Sequence, residues 1–175
     1  MTNLEKFLTE IAPIESNQNS AQVAVKSKDY FWYSPILTEL LDGKVGDVIV
    51  TPRSQAELIK VAAICAKYRI NITVRGGGTG NYGQCVPMAG GVILDITKLN
   101  AVLNIEEGAV TCEAGILIAD LEQAVRADQV VSGGQEILMY PSTRDIATIG
   151  GLVGFVTVIG EFVVAANDGL IAFLL

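Results

Sequence analysis

The stretch VRGGGTGNYGQCVP, residues 74–87, carries the densest run of glycine in this chain of 175 residues. Five of the nine residues at positions 76–84 are glycine. Because glycine has no Cβ, a backbone rich in it turns tightly and lets another group come close. The stretch predicts a loop that approaches a phosphate, and the alternative is a plain connecting loop.

A nucleoside-triphosphate P-loop is the first phosphate motif to test. Gly78 and Gly83 have the spacing of the first and second glycines of G-x-x-x-x-G-K-[ST]. Gln84 stands where the motif requires lysine, so the cation for the β- and γ-phosphates is missing. The sequence excludes a P-loop NTPase.

The dinucleotide pattern G-x-G-x-x-G matches at Gly78, Gly80 and Gly83. Its mechanism needs a helix that begins at the loop and points its N-terminus at the pyrophosphate. Pro87 and the pair Gly90–Gly91 would break such a helix, and an apolar strand-like run follows. The context therefore excludes a Rossmann site.

A loop that joins one strand to another fits the surrounding pattern. Successive backbone N–H groups in such a loop can form a concave nest that binds an anion without a helix. Thr79 and Asn81 add side-chain donors, and Arg75 adds a positive charge. We expect an anion nest here.

Composition limits the function further. The formal net charge is −7, which argues against a nucleic-acid partner and means that local donors must hold any bound anion. The chain has no histidine, which removes the commonest general base and metal ligand. Its three cysteines, Cys65, Cys85 and Cys112, form no C-x-x-C pair, so we predict no metal site and no disulfide framework. No catalytic residue stands out.

Apolar periodicity gives the predicted elements. Residues 3–11 have helical spacing, with Thr2 as N-cap, and residues 12–29 have the composition of a loop. The aromatic cluster at 30–33 is typical of a core plug. Residues 47–51 read as a strand.

A strand–helix–strand unit with parallel strands is predicted next, because a capping box at Ser54 and Glu57 opens a helix and a strand follows it. The helix spans 55–68, with Leu58, Ile59, Ala62 and either Cys65 or Ala66 expected on its buried face. The second strand of the strand–helix–strand unit covers residues 71–75.

The remaining pattern is a strand at 90–96, a hairpin at 101–114 and a helix at 117–127. The fold class is therefore predicted to be α+β. Asp95 is expected to organise backbone donors at the end of its strand. Three acidic residues are expected at the surface: Glu113, Asp120 and Glu122.

Four segments follow one another along the chain: TPRSQAELIKVAAICAKYRINITVRGGGTGNYGQCVP, GGVILDITKLNAVLNIEEGAVTCEAG, LIADLEQAV and YPSTRDIATIGG. In this order they resemble the FAD-linked oxidases of the vanillyl-alcohol oxidase / p-cresol methylhydroxylase (PCMH) type, in the glycolate-oxidase-like and D-lactate-dehydrogenase-like branch. The resemblance covers residues 46–151. It implies a PCMH-type FAD-binding domain of two α+β lobes with FAD between them.

The resemblance also implies which residues contact FAD. The backbone of the glycine loop would hold the pyrophosphate, through Arg75, Gly76, Gly77, Gly78, Thr79, Gly80 and Asn81. The next residues would lie along the flavin, and these are Gln84, Cys85, Val86 and Pro87. The other wall would come from Pro141, Ser142, Thr143, Thr148, Ile149, Gly150 and Gly151. Some relatives attach the flavin through a histidine in this loop, which this chain lacks, so non-covalent FAD is expected.

The chain departs from the family after Gly151. Residues 152–175 are apolar, with Glu161 and Asp168 as the only charged side chains. The uncharged run 146–160 falls short of the ~20 residues that span a membrane. The apolar composition predicts strands such as GFVTVIG and EFVVAA, and the alternative is the end of a truncated relative whose second lobe is incomplete.

Three regions follow from this: an N-terminal helical and aromatic segment at 1–45, the FAD-binding domain at 46–151, and the unmatched tail at 152–175. The predicted function is the FAD-binding portion of an oxidoreductase for a small hydroxy acid or related CH–OH substrate, completed by a further substrate domain. The alternative is a non-catalytic remnant that self-associates or binds a partner chain through 152–175. The N-terminus MTNLEKFLTE lacks an apolar run, so a cytoplasmic protein is expected.

Overall fold

A computed structural model describes residues 1–30, 32–106, 109–132, 148, 162–166 and 169–173. Its contacts divide the chain into two units, Met1–Leu99 and Asn100–Leu175. The described elements mix helices with parallel and antiparallel strands, which confirms the predicted α+β class. The domain limits at 45/46 and 151/152 stay predictions.

The described residues of the first unit form four helices and four strands. In chain order they are α1 (Asn3–Ile11), β1 (Glu15–Asn17), α2 (Ser20–Lys26), α3 (Pro35–Leu41), β2 (Val48–Thr51), α4 (Gln55–Tyr68), β3 (Ile72–Arg75) and β4 (Val92–Asp95). The strands form one sheet in the order β1-β2-β4-β3. β4 lies between β2 and β3 and is parallel to both, while β1 is antiparallel to β2.

The core of this unit follows from the apolar strands. Every residue of β4 is buried, as are the first three residues of β2. The buried side chain of Val23 on α2 packs with Ile49 and Ile93 of these strands. α1 adds the fully buried Phe7 and Ile11.

Two predictions for residues 12–33 are wrong. The segment read as a loop contains β1 and α2, whose N-cap Asn19 accepts a hydrogen bond from the Gln22 N–H. Both elements are short and mostly exposed, so their sequences show no apolar period. Phe31 of the aromatic cluster lies outside the described residues, and Tyr30 and Trp32 are no core plug, because their side chains are 64% and 93% exposed.

The helix at 55–68 has the predicted bounds but a different buried face. Val61, Ile64 and Cys65 are its buried residues, whereas Ile59 is exposed. Only half of the capping box forms, because the Glu57 carboxylate accepts from the Arg53 N–H and not from the N-cap. A helix with apolar residues on several sides does not reveal which side meets the sheet.

The second unit contains a predicted hairpin and helix. They are β5 (Val102–Glu106), β6 (Ala109–Cys112) and α5 (Ile118–Ser132). β5 and β6 pair antiparallel, as predicted, and a buried cluster that includes Val110, Leu121 and Val125 joins them to α5. Glu122 is buried and paired with Arg126 at 2.8 Å, so the prediction of a surface residue was wrong there.

Residues of the tail form the last two strands. β7 (Phe162–Ala166) and β8 (Gly169–Phe173) pair antiparallel as a hairpin. β7 coincides with the predicted strand EFVVAA. The other predicted tail strand, GFVTVIG at 154–160, lies outside the described residues.

Candidate functional site

The glycine-rich stretch connects β3 to β4, two neighbouring parallel strands of the first unit. The connection therefore runs from strand to strand, as predicted, with no helix between residues 76 and 91. Gly78 and Gly83 adopt positive φ angles of 68° and 86°. These angles are ones that side chains with Cβ rarely adopt, so glycine is required at both turns.

The exit from the loop is built around Gly91. The Gly91 N–H donates to Oδ2 of Asp47 at 2.6 Å, and its φ is +86°. A Cβ at Gly91 would collide with the backbone oxygen of Asn71. This close approach brings the chain into β4 beside β3.

Arg75, the last residue of β3, is buried. Its Nη1 donates to the carbonyl oxygens of Lys26, at 3.1 Å, and Lys28, at 2.6 Å. These carbonyls lie at the C-terminal end of α2, where the helix dipole favours a cation. The Arg75 side chain therefore joins β3 to α2, and its predicted contact with FAD stays a prediction.

Asp29 supports the second half of the loop, at Gly83 and Cys85. Its carboxylate is buried and accepts the Gly83 N–H on Oδ2 at 2.8 Å and the Cys85 N–H on Oδ1 at 3.2 Å. The Asp29 N–H donates to the Tyr33 hydroxyl at 2.8 Å. Sequence reasoning missed Asp29, because it stands in a stretch without pattern, 54 residues before Gly83.

Between these supports the loop presents unpaired donors. Within the part of the chain that the structure describes, the backbone N–H groups of Thr79, Gly80 and Asn81 donate to no protein group. Thr79 and Gly80 are partly buried and Asn81 is exposed. Three successive donors that a ligand can reach are what an anion nest requires.

The residues predicted along the flavin differ in exposure. Gln84 is exposed, and its Oε1 accepts the Tyr82 N–H at 3.0 Å. Val86 and Pro87 are buried. Burial, together with the nearby Asp29 carboxylate, raises the pKa of the Cys85 thiol to about 11. The thiol is therefore protonated at neutral pH and is a weak nucleophile.

The second predicted FAD segment belongs to the other unit. Thr148 is fully buried, and its backbone forms an antiparallel bridge with Leu117. The other residues proposed for this wall lie outside the described residues, namely Pro141, Ser142, Thr143, Ile149, Gly150 and Gly151. Their contact with FAD stays a prediction.

The described residues lack the groupings that a metal site or a membrane span would require. No group of three or more His, Cys, Asp or Glu side chains there could hold a metal ion. Among the helices that the structure describes, none is both long and apolar enough to cross a membrane.

A family model described as "FAD binding domain" matches residues 46–157. Among curated proteins, the chain is 33% identical over 107 residues to the glycolate oxidase subunit GlcD of Bacillus subtilis, covering 60% of this chain and 22% of that protein. It is 32% identical over 111 residues to the D-lactate dehydrogenase of Anaerostipes hadrus, covering 61% of this chain and 22% of that protein. The chain thus spans about a fifth of the length of these relatives.

A solved structure of p-cresol methylhydroxylase with bound substrate shares the fold. The TM-score is 0.66 at 17% sequence identity, and the match covers 83% of this chain and 28% of that one. Together with the family match, this likeness confirms the PCMH-type fold that the sequence predicted.

Proposed function

The chain belongs to the FAD binding domain family, and from this premise we propose that it is the FAD-binding portion of a flavin-dependent oxidoreductase for a small hydroxy acid or a related CH–OH substrate. The observation that carries the proposal is the strand-to-strand glycine loop with three unpaired backbone donors, at Thr79, Gly80 and Asn81. Relatives named glycolate oxidase and D-lactate dehydrogenase supply the substrate class.

The loop's donors suit the diphosphate of FAD. In a chain with a net charge of −7, no long-range positive field attracts a dianion. Backbone N–H groups at Thr79, Gly80 and Asn81 offer neutral donors at short range, and the Thr79 hydroxyl and Asn81 amide can add to them. Bound FAD would supply the redox chemistry by accepting two electrons from the substrate's CH–OH carbon.

We further propose that the cofactor is held without a covalent bond. The chain has no histidine to attach it. Cys85, the thiol nearest the loop's donors in sequence, has a pKa raised to about 11, because it is buried and lies near Asp29. A protonated, half-buried thiol disfavours a thioether link.

Substrate binding and proton removal are proposed to depend on groups beyond this chain. The buried carboxylates of Asp29 and Asp95 in the first unit already accept hydrogen bonds from protein donors. Neither is therefore a free general base. We expect the chain alone to bind FAD but not to oxidise glycolate or D-lactate.

Titration of the purified chain with FAD tests the proposal. Quenching of flavin fluorescence should show saturable binding of one FAD per chain, and acid precipitation should release the flavin into the supernatant. Gly80→Val should weaken uptake, because its side chain would displace the Gln84 side chain and crowd the Asp29 carboxylate that holds the loop. Ala63→Val is the control, since Ala63 is exposed on α4 and helical backbone accepts valine there. If the folded wild-type chain takes up no FAD, the proposal is wrong.

A second candidate function is a partner-binding module. The antiparallel hairpin β7–β8 lies in the apolar segment 152–175, and the relative from Bacillus subtilis is named as a subunit. Such a module would self-associate or bind another chain through this segment. Light scattering on the FAD titration samples gives the oligomeric state and so separates the two candidate functions. A monomer that binds FAD by itself would contradict the partner-binding module.

A further inference from the structure

We propose that Asp29 is the positioning residue that presets the glycine loop for FAD, an inference that rests on the function proposed above. The Asp29 carboxylate accepts from none of the three unpaired N–H groups, those of Thr79, Gly80 and Asn81. It acts through two backbone N–H groups of the loop, and through them it determines which donors remain for the cofactor.

The first support is the geometry of the carboxylate. Its two oxygens divide between two amides on the far side of the loop, Gly83 at 2.8 Å and Cys85 at 3.2 Å. Asp29 is 8% exposed, so water competes little for these bonds. Hydrogen bonds to a buried charged acceptor are among the stronger ones in proteins. The carboxylate therefore holds the second half of the loop in one conformation.

The second support is that neighbouring residues of Asp29 hold the first half of the loop. The Tyr30 N–H donates to the Gly78 carbonyl at 2.6 Å. The Lys28 carbonyl accepts from Nη1 of Arg75, immediately before the loop, at 2.6 Å. The segment 28–30, which we call the strap, thus bonds to the loop before, within and after its glycine run.

The consequence is a division of the loop's donors. The N–H groups of Gly83 and Cys85 are used by Asp29, whereas those of Thr79, Gly80 and Asn81 are unpaired within the described residues. A flexible glycine loop would lose conformational entropy when it closed on a ligand. With the strap in place that ordering is complete before FAD binds, which improves affinity.

The strap lies outside the residues that the family model matches, which begin at residue 46. The inference therefore adds a support for the site from a part of the chain that the family match does not cover.

The test compares Asp29→Ala and Asp29→Asn with the wild-type chain. Asp47→Ala is the matched control, because Asp47 also accepts a glycine N–H, that of Gly91, but at the exit of the loop. Two quantities are measured for each folded variant: the Kd for FAD by fluorescence titration, and the hydrogen exchange of backbone amides by NMR without FAD.

Asp29→Ala should raise the Kd by about tenfold or more, since it removes both charge-assisted bonds. Asp29→Asn keeps one acceptor oxygen and should fall between Asp29→Ala and the wild type. Exchange at Gly83 and Cys85 should become faster in both variants, while amides of β2 and β4 keep their protection. Asp47→Ala should bind FAD within about twofold of the wild type.

Three results would overturn the inference. One is fast exchange of the Gly83 and Cys85 amides in the wild-type chain. This result would show that Asp29 does not hold these amides, even if Asp29→Ala fails to fold. Another is an unchanged Kd for FAD in folded Asp29→Asn although its Gly83 and Cys85 amides exchange faster than in the wild type. A third is tighter binding of FAD by either Asp29 variant, in which the negative charge is removed. If the wild-type chain binds no FAD but its Gly83 and Cys85 amides are protected from exchange, the proposed function is refuted. The hydrogen bonds from these amides to Asp29 would still be supported.

Discussion

At the residue scale, the glycines of the loop have different physical roles. Gly78 and Gly83 supply positive φ at turns, whereas Gly91 combines a φ of +86° with backbone contact from the neighbouring strand. The sequence indicated that this region needs glycine, because no other residue is so permissive. It did not indicate which glycine meets backbone, since that depends on where Asn71 lies.

The role of Gly91 leads to a prediction about stability. Gly91→Ala should lower the free energy of unfolding by about 3 kcal/mol or more, because it adds both left-handed strain and a collision with the Asn71 carbonyl. Gly43→Ala shares the positive φ but has open space around the added Cβ, so we expect it to cost only about 1 kcal/mol. Urea denaturation of the two variants measures the difference, and equal losses would contradict the backbone collision.

At the element scale, α2 shows what local sequence leaves undecided. The helix is seven residues long, and Val23 is its only buried side chain. Isolated helices of this length are marginal in water, so tertiary contacts must stabilise it. Two contacts of charged side chains do so: Arg75 donates hydrogen bonds to backbone carbonyls at the C-terminal end of α2, and Lys26 forms an ion pair with Asp95 at the end of β4, at 2.7 Å. Neither partner is near α2 in the chain, which explains why a loop was predicted.

The pair between Lys26 and Asp95 predicts how stability depends on pH. Burial by itself would raise the pKa of the Asp95 carboxyl, but hydrogen bonds from Lys26 and Thr97 outweigh it and hold that pKa below the ordinary value of 3.8. Because the folded-state pKa is the lower one, the pair stabilises the fold fully above pH 3.8 and loses this contribution as the pH falls through the folded-state value.

Urea denaturation between about pH 7 and pH 2 measures this dependence. Asp95→Asn should lower the free energy of unfolding near neutral pH and flatten its fall in acid. Asp42→Asn, a change at an exposed residue after α3, is the control and should keep the wild-type profile. A profile for Asp95→Asn as steep as that of the wild type would refute this role of the pair.

At the scale of the whole molecule, the first unit reaches well beyond the family match. Residues before position 46 supply the first three helices and β1, and with them four buried apolar side chains: Phe7, Ile11, Ile14 and Val23. They also supply Asp29 and the strap. The sequence suggested a separate N-terminal segment at 1–45, while the contacts place these residues in one unit with the glycine loop.

Removal of residues 1–45 tests this integration. Burial of the four side chains contributes about 6–12 kcal/mol in total, which is comparable with the whole net stability of a domain. The chain 46–175 should therefore lose its cooperative thermal transition and its dispersed amide spectrum. The double variant Ile36→Ser and Leu40→Ser is the control, because both side chains are exposed on α3. A shortened chain with native-like dispersion would show that residues 46–175 fold without the N-terminal segment.

The sequence by itself determined the kind of loop, most of the elements and the family. These depend on local properties, namely glycine density, apolar period and capping residues, and on the order of segments along the chain. The strands around the loop and the hairpin β5–β6 were predicted correctly for this reason.

Only the tertiary structure decided how the loop is supported. β4 inserts between β2 and β3, the buried side of α4 differs from the predicted one, and the Asp29 carboxylate reaches amides 54 and 56 residues further along. No periodic pattern encodes such a pairing, because a buried carboxylate is satisfied by whichever donors the fold brings to it. The glycine run determines that the backbone can approach an anion, and the folded neighbours determine which of its amides are left to do so.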